Sequence, residues 1–519
     1  MSVAKGIFHR RPSLPETFDY HSGVQSPTPW KSDEQIDHYV PTHCCYCGVQ
    51  CGMYLKVAGG KVVGVEPRAD FPLNHGMLCP KGATAYQTVN HPDRLTYPLM
   101  RRNGKDSPLE RASWDEVLDT VVTRFRAIQE EHGKDAVAVY SGSSMTNEKC
   151  YLMGKFARVA LGTRHTDYNG RLCMSSATGA NERSLGIDRA ANPISDMLHA
   201  DCIFVIGANV GECFPIVTSY LWQARDRGCK LIVADPRQTP IARTADLFLP
   251  LRSGTDSALL GGMLHVIIKE GLIDEAFIHE RTVGWEETKA LAERYPPERV
   301  AKVCGLHPEA IIEAARLYGR ARAALLYTAR GLEHQSKGVD NGVAAANLAL
   351  STGNFGRPGA GYGTLTGQGN GQGGHEMGQK ASQLPGCREI ENPEDRAYIC
   401  SVWGIVCPTQ AIFYGTYEEW VEAGRARQGA KPVNTFFFGK QRVRTRNYVI
   451  MREQDAELDL MALVEEWRKE CPYPWDEDEV VTRRDTLRFL LAGSGALFLA
   501  TGVLAREDGV IYAVKEVAR

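Results

Sequence analysis

The sequence predicts an α/β protein whose parallel sheets are covered by helices on both faces, led by a small β-rich unit. Two observations predict it. Short continuous apolar runs at residues 136–140, 202–206, 231–234 and 324–328 each open into a loop, and helical patterns lie between them. Strands that read as unbroken apolar runs are buried on both faces, which is the habit of parallel sheets. Ahead of them, residues 54–57 and 61–65 alternate around a turn, as small half-exposed strands do.

In chain order, residues 1 to about 40 are polar and Pro-rich, and a cysteine-rich segment then leads into the alternating stretches. From Ser113 the pattern turns helical: Ser113 with Glu116 makes a capping box, and Val117, Leu118, Val121, Val122, Phe125 and Ile128 recur at helical spacing until Gly133 stops the run. The run 136–140 opens into Ser141-Gly142-Ser143-Ser144, followed by a helical stretch over about 147–161. The rhythm returns at 202–206 with Gly207-Ala208-Asn209-Val210-Gly211, at 231–234 with Asp235-Pro236-Arg237, and at 324–328 with Ala329-Arg330-Gly331. Between residues 353 and 378 glycine is so dense that the sequence predicts neither helix nor strand, but a long loop that wraps a ligand.

A chain of 519 residues has room for three to four average domains. Hydrophobic residues at 43% and charged residues at 24% are ordinary for a globular protein, and a net charge of -2 gives no electrostatic reason to expect nucleic acid. The fifteen cysteines are odd in number and five lie between Cys44 and Cys79, a pattern for metal ligation in a reducing, cytoplasmic compartment rather than a disulfide framework. Arg10 and Arg11 precede no apolar run, so the N-terminus reads neither as a secretory signal nor as a twin-arginine leader.

Cys44, Cys47 and Cys51 stand in a C-x2-C-x3-C run, and Cys79 returns after 27 intervening residues. Three thiolates from one tight loop and a fourth from a returning segment suit a [4Fe-4S] cubane, in which each iron needs one sulfur. Structural zinc and coincidental buried thiols are the alternatives. Cys45 is a spare, and Gly48, Gly52 and Gly76 let the backbone approach inorganic sulfide and donate to it. Lys81, just after Cys79-Pro80, reads either as a solvated lysine or as a charge beside a buried redox group.

Loops after parallel strands hold nucleotides and phosphates, because helix N-termini present unpaired N–H groups there. Gly207, Asn209 and Asp235 fit such a site, although the G-x-G-x-x-G fingerprint is missing and a ligand-free α/β loop is the alternative. Arg252-Ser253-Gly254-Thr255-Asp256 before a helix and the later Gly367-Gln368-Gly369-Asn370 indicate two nucleotide-like sites. Cys173, within Asn169-Gly170-Arg171-Leu172-Cys173-Met174-Ser175-Ser176-Ala177, is either a free core thiol or a ligand for a soft metal such as molybdenum.

Together these residues resemble the prokaryotic molybdopterin oxidoreductases, and among them the cytoplasmic assimilatory nitrate reductase catalytic subunits. The likeness is carried by the cysteine spacing with Leu78-Cys79-Pro80-Lys81-Gly82, by residues 171–177, by Gly207-Ala208-Asn209 and by residues 366–374, and runs over about 38–404. It implies a [4Fe-4S] subdomain over 38–98 and a body of Rossmann-like αβα domains over 99–404, with a bis(molybdopterin guanine dinucleotide) molybdenum cofactor. It also implies Cys173 as molybdenum ligand, Lys81 on the electron route between cluster and pterin, and cofactor contacts at Gly207, Asn209, Asp235, Arg237, Gly254, Asp256, Gly331, Gly367, Gln368 and Asn370. The related formate dehydrogenases carry histidine directly after their cysteine or selenocysteine, where it assists proton removal. Met174 cannot take a proton, so nitrate reduction is expected ahead of formate oxidation. An anionic substrate needs a positive funnel, with Lys149, Arg164, His165 and Arg183 as candidates, and electrons would come from a ferredoxin or a flavin/iron-sulfur reductase subunit. A silent electron-transfer or assembly subunit, like the large iron-sulfur subunit of respiratory complex I, is the reading from another class.

The sequence also departs from the family. His375 stands where relatives usually carry arginine, and after Trp403-Gly404 the expected continuation into a C-terminal cofactor-capping domain is missing. Residues 405–480 instead resemble a ferredoxin-like fragment around Cys407-Pro408, in which only Cys400 and Cys407 keep the cluster register. Residues 481–519 begin with Thr482-Arg483-Arg484-Asp485 and an apolar stretch at 489–505, read as a twin-arginine-like segment. Its seventeen residues span roughly 25 Å as a helix, short of a bilayer's ~30 Å core, which makes it a covered helix or a marginal membrane anchor.

Overall fold

A computed structural model describes residues 35–405 and, further along, the strands Val480–Val481, Ala500–Ala505 and Ile511–Glu516. Strands β1 (His38–His43), β2 (Gly52–Ala58) and β3 (Lys61–Pro67) form an antiparallel sheet in that order. The expected pair of small strands is β2 and β3, joined through Gly59 and Gly60 at φ 56° and 70°. Two left-handed residues in a row make a tight hairpin turn that glycine adopts without steric cost. Cys44, Cys47 and Cys51 lie in the loop between β1 and β2, and Cys79 is the N-cap of the short helix Pro80–Ala83.

A small hairpin of β4 (Leu99–Met100) and β5 (Glu110–Arg111) precedes the helix Trp114–His132. That helix starts and stops where the sequence says: Ser113 accepts from the Glu116 amide, and Gly133, at φ 87°, ends it. Parallel strands β6 (Val139–Ser141) and β7 (Thr166–Tyr168) follow. The strand expected at 136–140 begins later because Lys134–Ala136 forms a 3-10 turn. The helix expected over 147–161 divides into α-helix Asn147–Lys155 and a π-helical stretch, Phe156–Leu161.

The larger sheet contains β8 (Cys202–Ile206), β9 (Lys230–Ala234), β10 (Leu247–Leu249), β11 (Ala324–Thr328) and β12 (Gly361–Thr364), all parallel, in the order β10-β9-β8-β11-β12. The chain winds outward from β8 in one direction and from β11 in the other, so a crevice opens beyond the carboxyl ends of these two neighbours. Alternate residues feed two cores. Ile203, Val205, Leu231, Val233, Leu325 and Tyr327 join a core that runs on to Val49, Met53 and the cysteines of the β1–β3 unit. Phe204, Ile206, Ile232 and Leu326 pack instead under helices Asp256–Lys269, Pro308–Gly319 and Gly338–Ser351.

Two expectations need correction. The glycine-rich residues 353–378 contain β12 and the helix Gly371–Glu376. Their glycines mark close packing rather than loose chain: a Cβ on Gly361 would land on the Asn192 amide, and one on Gly373 on the side-chain oxygens of Asn147 and Asn370. The apolar stretch 489–505 is not helical throughout, since Ala500–Ala505 pairs antiparallel with Ile511–Glu516. Asp508-Gly509 between them is a strong hairpin signal. Among the described residues no helix is long and apolar enough to cross a membrane. The ferredoxin-like fragment and Thr482-Arg483-Arg484-Asp485 lie outside the described residues.

Candidate functional site

The thiols of Cys44, Cys47, Cys51 and Cys79 are buried and feel one another electrostatically. Burial pushes the Cys44 thiol up to about 11 and the Cys51 thiol up to about 12, and neighbouring thiols add to both. Burial also raises Cys47, with Lys81 working against it. Buried thiols such as Cys44, Cys47 and Cys51, which resist ionisation, are poor free groups and good ligands, because a bound metal takes the place of their protons. Among the described residues no three His, Cys, Asp or Glu side chains converge on a single-ion site. A cubane offers a separate iron to each sulfur.

Cys79 is brought back by Asn74, which is fully buried. Its amide accepts from the Gly52 N–H at 2.8 Å and donates to the carbonyls of Gly52 (3.1 Å) and Met77 (2.8 Å), clamping the returning segment beside Cys51. Nothing in the sequence pattern marks this asparagine. Lys81 is not simply a solvated lysine: Nζ donates to the carbonyls of Glu212 and Cys213 at 3.4 and 3.3 Å. It therefore links the cysteine unit to the loop that follows β8.

That loop lies at the crevice. Gly207 (φ 63°) and Gly331 meet across the carboxyl ends of β8 and β11: the Gly331 N–H donates to the Gly207 carbonyl at 3.0 Å, and a Cβ on Gly331 would come within 2.6 Å of the same oxygen. Asn209 caps helix Val210–Cys213 and donates to Glu212 at 2.5 Å, and Arg237 stands 3.7 Å from the same carboxylate. At the end of β9 the Asp235 carboxylate accepts from the Arg237 amide at 2.8 Å. Gly254 adopts φ 81° just before Asp256, which opens the next helix. Burial pushes the Asp256 carboxyl up to about 6, and Asp235 adds to the shift. Gly207, Asn209, Asp235, Arg237, Gly254, Asp256 and Gly331 thus share one sheet edge, with polar groups and left-handed glycines suited to a nucleotide-like ligand.

Gly367, Gln368 and Asn370 do not join them. They follow β12 but reach the carboxyl ends of β6 and β7, where Asn169 donates to Gln368 at 2.7 Å and Asn370 donates to Met145 (2.7 Å) and Asn147 (2.9 Å). The Gly48 N–H also donates to the Gly367 carbonyl at 3.1 Å, so this segment touches the cysteine loop. The ten expected contact residues form two groups, one at each sheet edge.

Cys173 lies between the groups, in the first turn of helix Gly170–Leu185 after β7. Its neighbour was missed by sequence reasoning. Arg330, at the crevice end of β11, donates through Nη1 to the Cys173 sulfur at 3.5 Å and to the Met174 sulfur at 2.8 Å, and pairs through Nη2 with the buried Glu333. Glu333 is raised by burial, which Arg330 and Thr328 oppose. Arg330 was visible as a loop residue after a parallel strand, and its position at the strand-order reversal was the unread signal.

The proposed positive funnel does not assemble. Arg164 pairs with Asp135 at 2.9 Å and His165 precedes β7, at the opposite strand end from Cys173. Arg183 sits 3.9 Å from Asp340, far along its helix, and Lys149 follows β6 and is lowered by burial. Besides Arg330, the basic residues near Met174 are Arg171, His375 and Lys380.

Residues 37–91 match the molybdopterin oxidoreductase Fe4S4 domain and residues 94–448 match the molybdopterin oxidoreductase family. The chain belongs to the molybdopterin oxidoreductase family. The second match extends past Gly404, into residues outside the described part of the chain. The chain is 43% identical over 380 residues to the assimilatory nitrate reductase catalytic subunit of Bacillus subtilis, covering 72% of this chain and 53% of the relative. It is 39% identical to the F420-dependent formate dehydrogenase 1 subunit alpha of Methanococcus maripaludis, covering 70% and 53%. Acetylene hydratase from Pelobacter acetylenicus superposes with a TM-score of 0.56 at 29% identity, covering 62% of this chain and 44% of that one. The chain therefore spans about half the length of these relatives. As a molybdopterin oxidoreductase it carries the fold's iron-sulfur unit and parallel αβα body, and nitrate and formate enzymes stand at similar distances from it.

Proposed function

We propose that this molybdopterin oxidoreductase reduces nitrate to nitrite, in the cytoplasm, with bis(molybdopterin guanine dinucleotide) molybdenum and a [4Fe-4S] cluster. The observation that carries the reading is the pair Cys173-Met174 under Arg330. A thioether accepts a hydrogen bond from Arg330 at 2.8 Å but cannot serve as a base, which favours oxygen removal over proton abstraction from formate.

Cys44, Cys47, Cys51 and Cys79 would hold the cluster, and Cys173 the molybdenum. The group at Gly207, Asn209, Asp235, Arg237, Gly254, Asp256 and Gly331 would receive one guanine dinucleotide, and Gly367, Gln368 and Asn370 would flank the other. Bound molybdenum supplies oxygen-atom exchange. The chain's residues do the rest. Arg330 places a positive charge beside the sulfur and draws an anion toward it. Lys81 keeps the cysteine unit fastened to the crevice. Nitrate loses one oxygen, and two electrons with two protons turn that oxygen into water. The electrons would come singly from a ferredoxin or a flavin/iron-sulfur reductase subunit.

The full chain, expressed with cofactor biosynthesis intact, should carry about four irons and about one molybdenum, and should oxidise reduced viologen when nitrate is added. Cys173→Ser should lose molybdenum and keep iron. Formate-driven viologen reduction would move the assignment to formate oxidation, which the 39% identity to a formate dehydrogenase subunit keeps in contention. Iron without molybdenum would make the chain an electron-transfer or assembly subunit.

A further inference from the structure

Arg330 reaches Cys173 from a one-turn helix, Arg330–Glu333, that follows β11. Its guanidinium is held unevenly. Nη1 meets only the sulfurs of Cys173 and Met174, at 3.5 and 2.8 Å, and sulfur is a weak acceptor. Nε is buried and has no hydrogen-bond partner. Among the described residues the one carboxylate that accepts from this guanidinium is Glu333, which takes Nη2.

Glu333 is fixed in turn. Its side chain is 0% exposed, and its other oxygen accepts from the Thr328 hydroxyl at 2.9 Å. Thr328 ends β11, and its hydroxyl lies 3.4 Å from that of Thr364, which ends the neighbouring strand β12. The carboxylate therefore stands on a sheet edge, with one oxygen turned to the strand and one to the arginine. A carboxylate buried this completely depends on such partners, and Arg330 is the cation paired with it. His334, the next residue, donates from Nε2 to the Cys173 carbonyl at 3.0 Å. One turn thus holds the backbone of Cys173 while its arginine meets the sulfur.

We propose that Glu333 is a positioning residue for the reaction at Cys173: its carboxylate, anchored on Thr328, fixes the Arg330 guanidinium against the sulfurs of Cys173 and Met174. The inference rests on the nitrate reading above for the identity of the anion, and on the geometry of the pair for the rest. Position and charge make opposite predictions here. Removing the carboxylate deletes a negative charge, which by Coulomb's law alone makes the surroundings of Cys173 more attractive to an anion. Because Glu333 is the anchor of Arg330, its loss instead releases the guanidinium and makes them less attractive.

The test is alkylation of Cys173, which is half-buried, in the cofactor-free full chain. Anionic iodoacetate is compared with neutral iodoacetamide, and the Cys173 peptide is read by mass spectrometry. The thiolate attacks both reagents, so the ratio of their rates reports local charge and not ionisation of the thiol. Arg330→Met should lower the ratio by about threefold or more. Glu333→Gln should lower it by a comparable factor, and the two changes together should lower it no further. The exposed thiol of Cys387 supplies a reference ratio that stays level in every variant. Should Glu333→Gln fail to fold, Thr328→Val, which removes the anchor and keeps both charges, should lower the ratio by about twofold. In turnover of the loaded enzyme, Glu333→Gln should raise the nitrate KM about tenfold, with kcat within about threefold and molybdenum content unchanged. A ratio that rises or stays level in Glu333→Gln, or that falls additively with Arg330→Met, overturns the positioning role. The expected pattern of ratios in a chain that does not reduce nitrate overturns only the proposed function. Nitrate turnover with ratio and KM both unchanged in Glu333→Gln overturns only the positioning role.

Discussion

The two parallel sheets of this chain hold comparable ligand-facing edges by different means. The five-stranded sheet is closed by packing: helices Asp256–Lys269, Pro308–Gly319 and Gly338–Ser351 cover one of its faces, and its edge is shaped by turns such as Gly207 and Gly254. The two-stranded sheet of β6 and β7 is held by ties from more than two hundred residues away. Arg158, 1% exposed in the π-helical stretch, donates to the carbonyls of Gly378 (2.5 Å), Lys380 (3.0 Å), Ala381 (3.4 Å) and Gln383 (3.2 Å). Asn370 reaches Met145 and Asn147 in the same manner. A sheet closed by local packing tolerates change at its edge, while one closed by a few polar ties depends on each of them.

The largest expected break in that contrast is Arg158→Met. Leaving four loop carbonyls without their donor should cost at least about 3 kcal/mol in urea unfolding, and limited proteolysis should open residues 378–383 while the five-stranded sheet stays protected. An unchanged midpoint would mean the ties are ornamental. Acid should probe the same region. Burial and Lys380 hold the His375 imidazole down at about 4, below its ordinary 6.5, so between pH 6.5 and 4 the unfolded chain binds a proton that the folded chain does not. Stability should therefore fall as pH drops through that window, by up to about 3 kcal/mol. His375→Gln should flatten the slope.

At the other sheet, Gly331→Ala forces a methyl toward the Gly207 carbonyl and should cost about 1–3 kcal/mol in thermal unfolding. Gly367→Ala meets open space and should leave stability level or slightly raised. If both behave alike, the two glycines do not differ as their surroundings do. The smallest effect is Ser113→Ala, the helix cap ahead of β6, at about 1 kcal/mol, read from the denaturation midpoint.

The same contrast explains what the sequence revealed. Cys202–Ile206 and Ala324–Thr328 were legible to the residue because a strand buried on both faces must be apolar throughout. Helix Trp114–His132 was legible because Ser113, Glu116 and Gly133 act within one turn of its ends. The cysteine spacing marked its loop for the same local reason. Arg158, Asn74, Arg330 and the shape of residues 353–378 were not legible, because their roles depend on partners brought near only by the fold. Glycine in that segment reads as a breaker along the chain, but in three dimensions it is the residue small enough to let Asn192, Asn147 and Tyr168 pack against backbone. Arg164 and His165 left the expected funnel for a related reason: charge can be seen in a sequence, but not which end of a strand it will occupy.

The bond from the Gly48 amide to the Gly367 carbonyl has a consequence in time. A chain emerges from the ribosome at about 5–20 residues per second, so the loop carrying Cys44, Cys47 and Cys51 waits roughly 15–60 s for the segment that covers it. During that interval the thiols are synthesised but not yet enclosed. The cluster proposed for these thiols would have an open window for delivery of iron and sulfide before residue 367 arrives, an interval that translation itself sets.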